Sequence, residues 1–422
     1  MGTMKRSLAR AGVIALVCAS TAGLPGRVAA QALIGSDVPA AIVTFPLVRV
    51  DGEDPVFLDT YIQLANTDEA EVRAMQCFYI NGLGECSTSG EPCLVDFDCP
   101  GGLLGEQCVP AWVESNFFID FTANQPLGWQ ASEGLDFLPC DPNQIANGSD
   151  PICGDLDQSN GTGGVTALGS PFEGFLTCVG IEAINDIDPS PANVFIGTAT
   201  ILSAAPLDSY TYNGIGIQAE EDVGDDQHLC LGGAAGTNCP VAEYAGCPQT
   251  LIMNHIFDFS SLDDIGVAVA TRLTLIPCTQ LESPRPDHVP GPDVVPTTAQ
   301  FLVFNEFEQK TSTSTRISCF SDLLISDIDT RPSYEPDNTS SIFSVSVQGT
   351  FVGQTRIRGV ATNETDVGHG LLGIAVQQLT SIPDMDPVTS SAAVNLNFSG
   401  VRGQPDVICT VGNPLGCVPD MQ

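Results

Sequence analysis

Apolar and polar residues alternate along many short stretches of this chain, separated by segments rich in Gly, Pro, Asn and Asp. At residues 343–348 (FSVSVQ) and 394–399 (VNLNFS), apolar side chains occupy every second position. Such alternation places apolar residues on one face of a strand and polar residues on the other, whereas helical periodicity is scarce. We therefore predict an all-β fold with many short strands that each have one wet face.

The predicted strands recur in the same order in the two halves of the chain. The matched segments are 41–50 with 267–276, 60–66 with 301–307, 73–80 with 316–322, and 116–122 with 341–347. In both halves a motif of the form I-x-D-x-D-P follows, at 184–189 and at 382–387. We interpret this pattern as a tandem duplication that gives two immunoglobulin-like β-sandwich domains.

The repeat also sets the predicted domain boundaries. The first sandwich covers 31–262 and is enlarged by cysteine-rich insertions at about 86–108 and 140–160, and the second covers 263–422. A proline-dense stretch that ends near 296 is the alternative boundary, because clustered prolines form stiff connectors.

The N-terminus has the pattern of a secretory signal peptide. Lys5, Arg6 and Arg10 precede an apolar run at 11–24, and small residues end the segment before Gln31. No later segment approaches about 18 unbroken apolar residues, so the sequence predicts no membrane insertion. We expect a mature chain that begins near Gln31 and is secreted or held at the cell surface.

The mature chain is strongly acidic. Removing residues 1–30 takes away four of the 14 basic residues and none of the 51 acidic ones, so 10 minus 51 leaves a charge of −41. This charge repels phosphate backbones and anionic lipid headgroups, which argues against nucleic acid and membrane-surface partners. We therefore expect the binding partner to be an extracellular protein or a glycan.

Sixteen cysteines, fifteen of them beyond the signal segment, indicate disulfides formed in an oxidising compartment. The candidates for disulfide bonding are Cys86, Cys93, Cys99, Cys108, Cys140, Cys153, Cys230, Cys239, Cys247, Cys409 and Cys417. Zinc is the competing interpretation of the cluster at 86–108 and of the cluster at 230–247, which His228 and His255 flank. Paired C-x-x-C spacing is absent, and export favours oxidation. An odd number of cysteines leaves at least one outside intramolecular pairs.

The repeated I-x-D-x-D-P motif is the one candidate metal site. Asp186 and Asp188, and likewise Asp384 and Asp386, are alternate residues whose carboxylates can share a face of an extended chain. Carboxylate pairs suit calcium, the only cofactor that the sequence suggests, but calcium needs about six oxygens or more. The alternative is structural, with Asp capping a turn and Pro ending the strand before it.

Catalytic signatures are missing from the sequence. It contains no G-x-S-x-G, H-E-x-x-H, Walker or C-x-x-C-H motif, and only four histidines. We therefore expect a structural or interaction protein without catalytic activity that binds through its loops. One alternative is a secreted hydrolase with carboxylates on a sandwich face, since such sites assemble from distant strands. The other is a calcium-stabilised adhesive module.

Two stretches of the first copy, DTYIQLANTDEAEVRAMQCFYIN at 59–81 and WVESNFFIDFTANQPLGWQASEG at 112–134, resemble a known group of proteins. The group comprises exported bacterial proteins of unknown function with tandem β-sandwich units and cysteine-rich insertions. The resemblance covers most of the first copy and, loosely, the second. It implies export and a β-sandwich architecture, and it carries over no catalytic residue.

Overall fold

The structure is a computed structural model in which all described residues belong to one compact unit, Leu33–Gln422. The described residues are 34–52, 57–93, 100, 108–110, 114–135, 164–183, 186–204, 207–220, 228–237, 239–258, 260–262, 267–279, 297–317, 319–329, 341–361, 368–381 and 389–409. Within them the fold is almost entirely β, with antiparallel sheets and disulfides, as the alternation predicts.

The described residues before 232 form fifteen strands. They are β1 (Ile34–Gly35), β2 (Ile42–Val50), β3 (Leu58–Asn66), β4 (Arg73–Asn81), β5 (Gly84–Cys86), β6 (Pro92–Cys93), β7 (Cys108–Pro110), β8 (Glu114–Phe121), β9 (Pro126–Gln130), β10 (Phe172–Ala183), β11 (Asp186–Pro189), β12 (Phe195–Ala204), β13 (Leu207–Asn213), β14 (Ile215–Ile217) and β15 (His228–Leu231).

The described residues after 232 form eleven further strands and one short α-helix. They are β16 (Pro248–Ile256), β17 (Ser260–Leu262), β18 (Val267–Pro277), β19 (Thr297–Asn305), β20 (Lys310–Ile317), β21 (Ser321–Leu324), the helix α1 (Val345–Gln348), β22 (Val352–Val360), β23 (Leu371–Ser381), β24 (Thr389–Asn395), β25 (Asn397–Val401) and β26 (Asp406–Cys409). A 3-10 turn at Ile325–Asp327 directly follows β21.

The first half of the chain builds two facing sheets. The larger has the order β1-β14-β2-β10-β4-β8 with β11 beside β10, and the smaller has the order β13-β12-β3-β9. Strand β3 shows why they pack together, since Ile62 and Leu64 are buried while Tyr61 and Gln63 between them are exposed. The apolar faces of both sheets enclose one core, which includes Phe45, Ile62 and Trp129.

The second half builds another pair of sheets, β20-β19-β22-β16-β25 and β17-β18-β23-β24, with β21 beside β18. Their facing side chains form a second core around Phe301, Leu273 and Ile357. Strand β16 lies between β22 and β25 and pairs with both. Strand β15 pairs with β26, near the end of the described chain.

A third apolar cluster joins the two halves. It contains Phe78 and Val179 from the larger first-half sheet together with Ile276 and Leu372 from the second half. Strand β10 is buried at ten successive positions, because both of its faces are covered. A strand covered on both faces needs a nearly continuous apolar sequence, which explains why β10 does not alternate.

The structure departs from the predicted strand at 343–348. Residues 345–348 form α1, which ends at Gly349 in the left-handed conformation, with φ 68°. Glycine adopts that conformation readily and commonly follows a helix C-terminus. The side-chain amide of Gln348 donates to the Ile342 carbonyl at 2.6 Å and anchors the turn from within. A buried polar anchor of this kind has no signature in the apolar pattern.

The segment 394–399, which the alternation predicts as one strand, is extended but is shared between two strands of different sheets. Strand β24 pairs with β23 in one sheet, and β25 pairs with β16 in the other. Leu396 lies between the two strands and is buried in the second-half core, whereas Val394 is 44% exposed. The chain thus crosses from sheet to sheet at Leu396, which a single predicted strand does not capture.

Candidate functional site

The residues of the repeated motif are only partly described. Asp186 and Asp188 lie on β11, which pairs antiparallel with the end of β10. Asp384 and Asp386 lie outside the described residues, as does the predicted insertion at about 140–160. Within the described part of the chain, no group of three or more His, Cys, Asp or Glu side chains is arranged to hold a metal ion. The calcium site therefore stays a prediction.

Disulfides occupy several of the candidate cysteines. Cys230 bonds Cys239, and Cys247 bonds Cys278. Cys86 and Cys93 are also disulfide-bonded, and their strands β5 and β6 form a three-stranded sheet with β7. The remaining candidates have side chains outside the described residues: Cys99, Cys108, Cys140, Cys153, Cys409 and Cys417.

One disulfide joins two cysteines that sequence analysis did not propose as partners. Cys77 on β4 bonds Cys178 on β10, directly opposite it in the larger first-half sheet. The bond therefore lies within one sheet and is completely buried. Cys319, the counterpart of Cys77 in the repeat alignment, is a free thiol.

Four ionisable side chains lie close together where the two halves touch: Arg49, Glu173, Arg272 and Asp322. We call this group the buried charge cluster. The first pair consists of Arg49 on β2 and Glu173 on β10, which lie opposite each other in the ladder. The guanidinium Nη2 atom lies 3.0 Å from the Glu173 Oε2 atom. Only 10% of the Glu173 side chain is exposed.

The second pair comes from the other half of the chain. Arg272 on β18 donates from Nε and Nη2 to the Oδ2 atom of Asp322 on β21, at 3.0 and 2.7 Å. Thr274 donates to the other carboxylate oxygen of Asp322 at 2.8 Å. With 1% of its side chain exposed, Asp322 is held ionised by these donors rather than by water.

The two pairs act on each other and shift their carboxyl pKa values in opposite directions. Burial, opposed by the charge of Arg49 and assisted by the charge of Asp322, raises the pKa of Glu173 to about 7. Burial also disfavours ionised Asp322, but Arg272 and Arg49 together hold its pKa below the ordinary value. One carboxyl therefore holds a proton near neutral pH while its neighbour stays charged.

Tyr210 on β13 completes the cluster. Burial raises the pKa of its hydroxyl to about 12, so the phenol stays neutral beside Arg49. The Glu173 Oε1 atom is buried and has no hydrogen-bond partner among the described residues. A hydrogen bond between the carboxyls of Glu173 and Asp322 also raises the pKa of Glu173, because such a bond requires a proton on one of the two groups.

A second polar cluster surrounds Asp406 on β26, which is 2% exposed. Its carboxylate accepts hydrogen bonds from Arg402 at 2.6 Å, from Thr279 at 2.9 Å and from the Gly370 backbone at 3.0 Å. The His369 Nδ1 atom lies 3.5 Å away. Arg402 also donates to the Gly368 carbonyl. These contacts join β26 to the segments that follow β18 and precede β23 in the second half.

The His369 ring resembles part of a catalytic dyad, but its outer nitrogen has no hydroxyl or thiol beside it. The Nε2 atom is buried and makes no hydrogen bond to any described residue. A histidine that activates a nucleophile must lie within hydrogen-bond reach of it. The described contacts of this cluster therefore indicate a structural role, in which they hold neighbouring segments together.

Sequence reasoning missed both clusters, although one signal was present. Arg49 and Arg272 are the only charged residues of β2 and β18, strands whose sequences are otherwise mostly apolar. A lone charge in a buried strand requires a partner. The partners Glu173 and Asp322 lie on other strands, so the sequence alone could not name them.

Comparison with known proteins provides no name for this arrangement. No protein-family model matches the chain, and no curated protein is significantly similar to it. Among the described residues, no helix combines the length and the apolar character that crossing a membrane requires.

Proposed function

We propose that this chain is a secreted or cell-surface structural or interaction protein without catalytic activity. Its two related immunoglobulin-like sandwiches would form one rigid scaffold that presents loops and sheet faces to an extracellular protein or a glycan. The observation that carries this proposal is the buried charge cluster. The Arg49–Glu173 and Arg272–Asp322 pairs come from opposite halves and lock together at their contact.

The sheet pairings support a duplicated origin of the halves. In each half the first long strand pairs with a late, largely buried strand, β2 with β10 and β18 with β23. In each half an I-x-D-x-D-P sequence comes directly after that late strand. The pairing of β3 with β9 likewise has a counterpart in that of β19 with β22.

The disulfides and the N-terminal sequence support export. Disulfides persist in oxidising compartments, and the described residues include three complete pairs. Export is tested by expressing the full chain in a bacterial host and sequencing the N-terminus of the protein from the cell envelope or medium. We expect a start near Gln31. An unprocessed protein that stays in the cytoplasm would contradict the proposal.

The absence of catalysis is tested on the purified mature chain with panels of glycosides, esters and peptides. The variants are Glu173→Gln, Asp322→Asn and His369→Ala, each checked for native structure at the assay temperature by circular dichroism. We expect no turnover that any of the three substitutions abolishes. Turnover that disappears in a correctly folded variant would overturn this part of the proposal and identify the residue responsible.

One observation favours the hydrolase as the second candidate. Glu173 and Asp322 have pKa values pushed apart by their surroundings, which is how paired carboxyls divide acid and base roles. Both carboxyls, however, are engaged by arginines and nearly closed to solvent. A substrate would have to displace these ion pairs, so we rank the structural role first.

A further inference from the structure

The sheet β20-β19-β22-β16-β25 contains no acidic residue, although the chain has 51. Its five strands read KTSTSTRI, TTAQFLVFN, VGQTRIRGV, PQTLIMNHI and NFSGV. Their inward side chains, such as Phe301 and Ile357, are buried in the second-half core. Because side chains alternate between faces, the cations of these strands lie on the outer face.

Four exposed cations lie on that outer face, which we term the basic face: Lys310 and Arg316 on β20, and Arg356 and Arg358 on β22. Among the described residues, none of the four makes an ion pair with a carboxylate. Every other described Arg does so, and those residues are Arg49, Arg73, Arg272 and Arg402. Within the described part of this acidic protein, the Lys and Arg side chains that have no carboxylate partner are thus gathered on one face.

Neutral side chains hold the two central guanidiniums in place. Arg358 donates from Nε to the Gln300 side-chain oxygen at 2.8 Å, and Arg356 donates from Nε to Gln354 at 3.3 Å. The Arg356 guanidinium also lies 5.6 Å from the centre of the Phe304 ring. The Nη groups of both arginines have no acceptor among the described residues. Each guanidinium is therefore oriented, with donors left for an external anion.

The geometry of the basic face suits an extended ligand. Arg356 and Arg358 are two positions apart on one strand, or roughly 7 Å, and Lys310 and Arg316 are about 20 Å apart along the edge strand. The two rows are separated by two strand spacings, about 10 Å. Ser312, Ser314 and Gln300 lie between the cations, together with the partly buried Leu302 and Phe304. Further polar side chains lie on the other side of β22: Asn254, Asn397 and Ser399.

A purely structural role explains only part of this arrangement. Cations on an edge strand discourage edge-to-edge pairing between molecules, and this accounts for Lys310 and Arg316. It does not account for Arg356 and Arg358, which lie on the central strand of the sheet. Acidic side chains do lie nearby, in the exposed turn at Glu306 and Glu308, but they are not on the strands themselves.

We propose that the basic face binds an anionic polysaccharide, whose carboxylate or sulfate groups pair with Arg356 and Arg358 while its hydroxyls bond the neutral side chains between them. Protein interfaces centre on desolvated aromatic and apolar anchors and are poor in Lys and Ser. Single-stranded nucleic acid requires exposed aromatic rings for stacking. The outer face carries one aromatic side chain, Phe304, which is only partly exposed and lies beneath the Arg356 guanidinium, so it offers no free ring for stacking. This inference adds a partner class to the proposed function.

The test measures binding of the purified, oxidised mature protein to polygalacturonate, dextran sulfate, neutral dextran and poly-glutamate. We expect binding to one or both anionic polysaccharides, weakening as salt rises, and none to neutral dextran. The two anionic probes distinguish carboxylate from sulfate recognition. Because binding is measured on purified protein, its failure would leave the proposals on export and catalysis intact.

Two double variants locate the site. Arg356→Gln with Arg358→Gln should weaken binding about tenfold, as the loss of two exposed ion pairs implies. Lys310→Gln with Arg316→Gln should weaken it about threefold, and it serves as the test if the first variant does not fold. Gln63→Glu with Ser209→Glu changes the net charge equally on another sheet and should leave binding within about twofold.

Several results would overturn the inference. They are no binding to either anionic polysaccharide, equal loss in the control variant, or equally tight binding of poly-glutamate. A fourth is self-association in sedimentation, without polysaccharide binding, that Arg356→Gln with Arg358→Gln abolishes. That last outcome would make a second, acidic copy of the chain the occupant of the basic face.

Discussion

Glu173 and Asp322 come from opposite halves of the chain, and the negative charge of Asp322 helps to keep a proton on Glu173 near neutral pH. Each carboxyl is paired with an arginine of its own half, Arg49 or Arg272. The contact between the halves therefore depends on which of these groups are charged. This dependence makes it accessible to measurement by pH and by substitution.

The first prediction is that Glu173 makes stability fall as pH rises from about 4.5 to 7, against buried His255, whose pKa burial lowers to about 4 and which acts in the opposite direction. Glu173 has an ordinary pKa of 4.5 and a folded-state pKa of about 7, so the folded protein binds more protons than the unfolded chain in this interval. Its contribution is fully present below the unfolded pKa and is lost as pH rises through the folded pKa. The full effect is roughly 3 kcal/mol at most. Urea unfolding at successive pH values measures it.

Glu173→Gln is the decisive variant, because glutamine stays neutral at every pH and should remove the Glu173 contribution from the profile. Buried Asp258, whose pKa burial raises to about 6, contributes in the same direction as Glu173, and His255 contributes in the opposite direction, so the test is the difference in slope between the parent protein and the variant. Asp322 acts oppositely: its lowered pKa gives stability that is lost only as pH falls below its ordinary value. An unchanged slope in Glu173→Gln would contradict the assignment.

The second prediction concerns Arg272, whose removal leaves the buried charge of Asp322 without its partner. Arg272→Met leaves Asp322 buried without its closest cation and should cost about 3 kcal/mol. Adding Asp322→Leu removes the stranded charge and should restore much of the loss, because a hydrophobic pair can replace a buried ion pair. Chemical denaturation of both variants provides the comparison. A double variant less stable than Arg272→Met would show that the cluster stabilises the fold beyond its ion pairing.

The sequence predicted the strands whose burial follows a simple period and missed the features that depend on distant partners. Strand β3 alternates and was predicted within two residues of its bounds, as 60–66. The segment 343–348 alternates equally well but forms α1, because Gln348 is anchored from inside and Gly349 ends the turn. The local pattern of apolar residues does not reveal the Gln348 hydrogen bond or the turn at Gly349.

The candidate sites were harder to predict for the same reason. Arg272 and Asp322 are 50 residues apart and meet only because β21 pairs beside β18. The basic face is assembled from five strands, and no single strand carries more than two of its four cations. Its absence of acidic residues becomes visible only when strand neighbours are known. The net charge of −37 for the whole chain gives no sign that one sheet lacks acidic residues.

The third prediction tests the core of the first half. Trp129 donates from its indole nitrogen to the hydroxyl of Tyr79 at 2.7 Å, and both side chains are buried. Tyr79→Phe would leave this donor unsatisfied and should destabilise the protein by about 1–3 kcal/mol. Tyr61→Phe, at a ring that is 37% exposed, is the matched control and should have almost no effect. Equal losses in the two variants would refute the buried hydrogen bond.

The fourth prediction concerns calcium and the I-x-D-x-D-P motif. Asp186 and Asp188 lie two residues apart on β11, and together they offer at most four carboxylate oxygens, fewer than calcium usually takes. We expect thermal unfolding of the mature protein to be the same in excess calcium and in chelator, and Asp186→Ala and Asp384→Ala to respond alike. A calcium-dependent rise in midpoint that either substitution reduces would instead identify a duplicated metal site, since a ligand that binds only the folded state stabilises it.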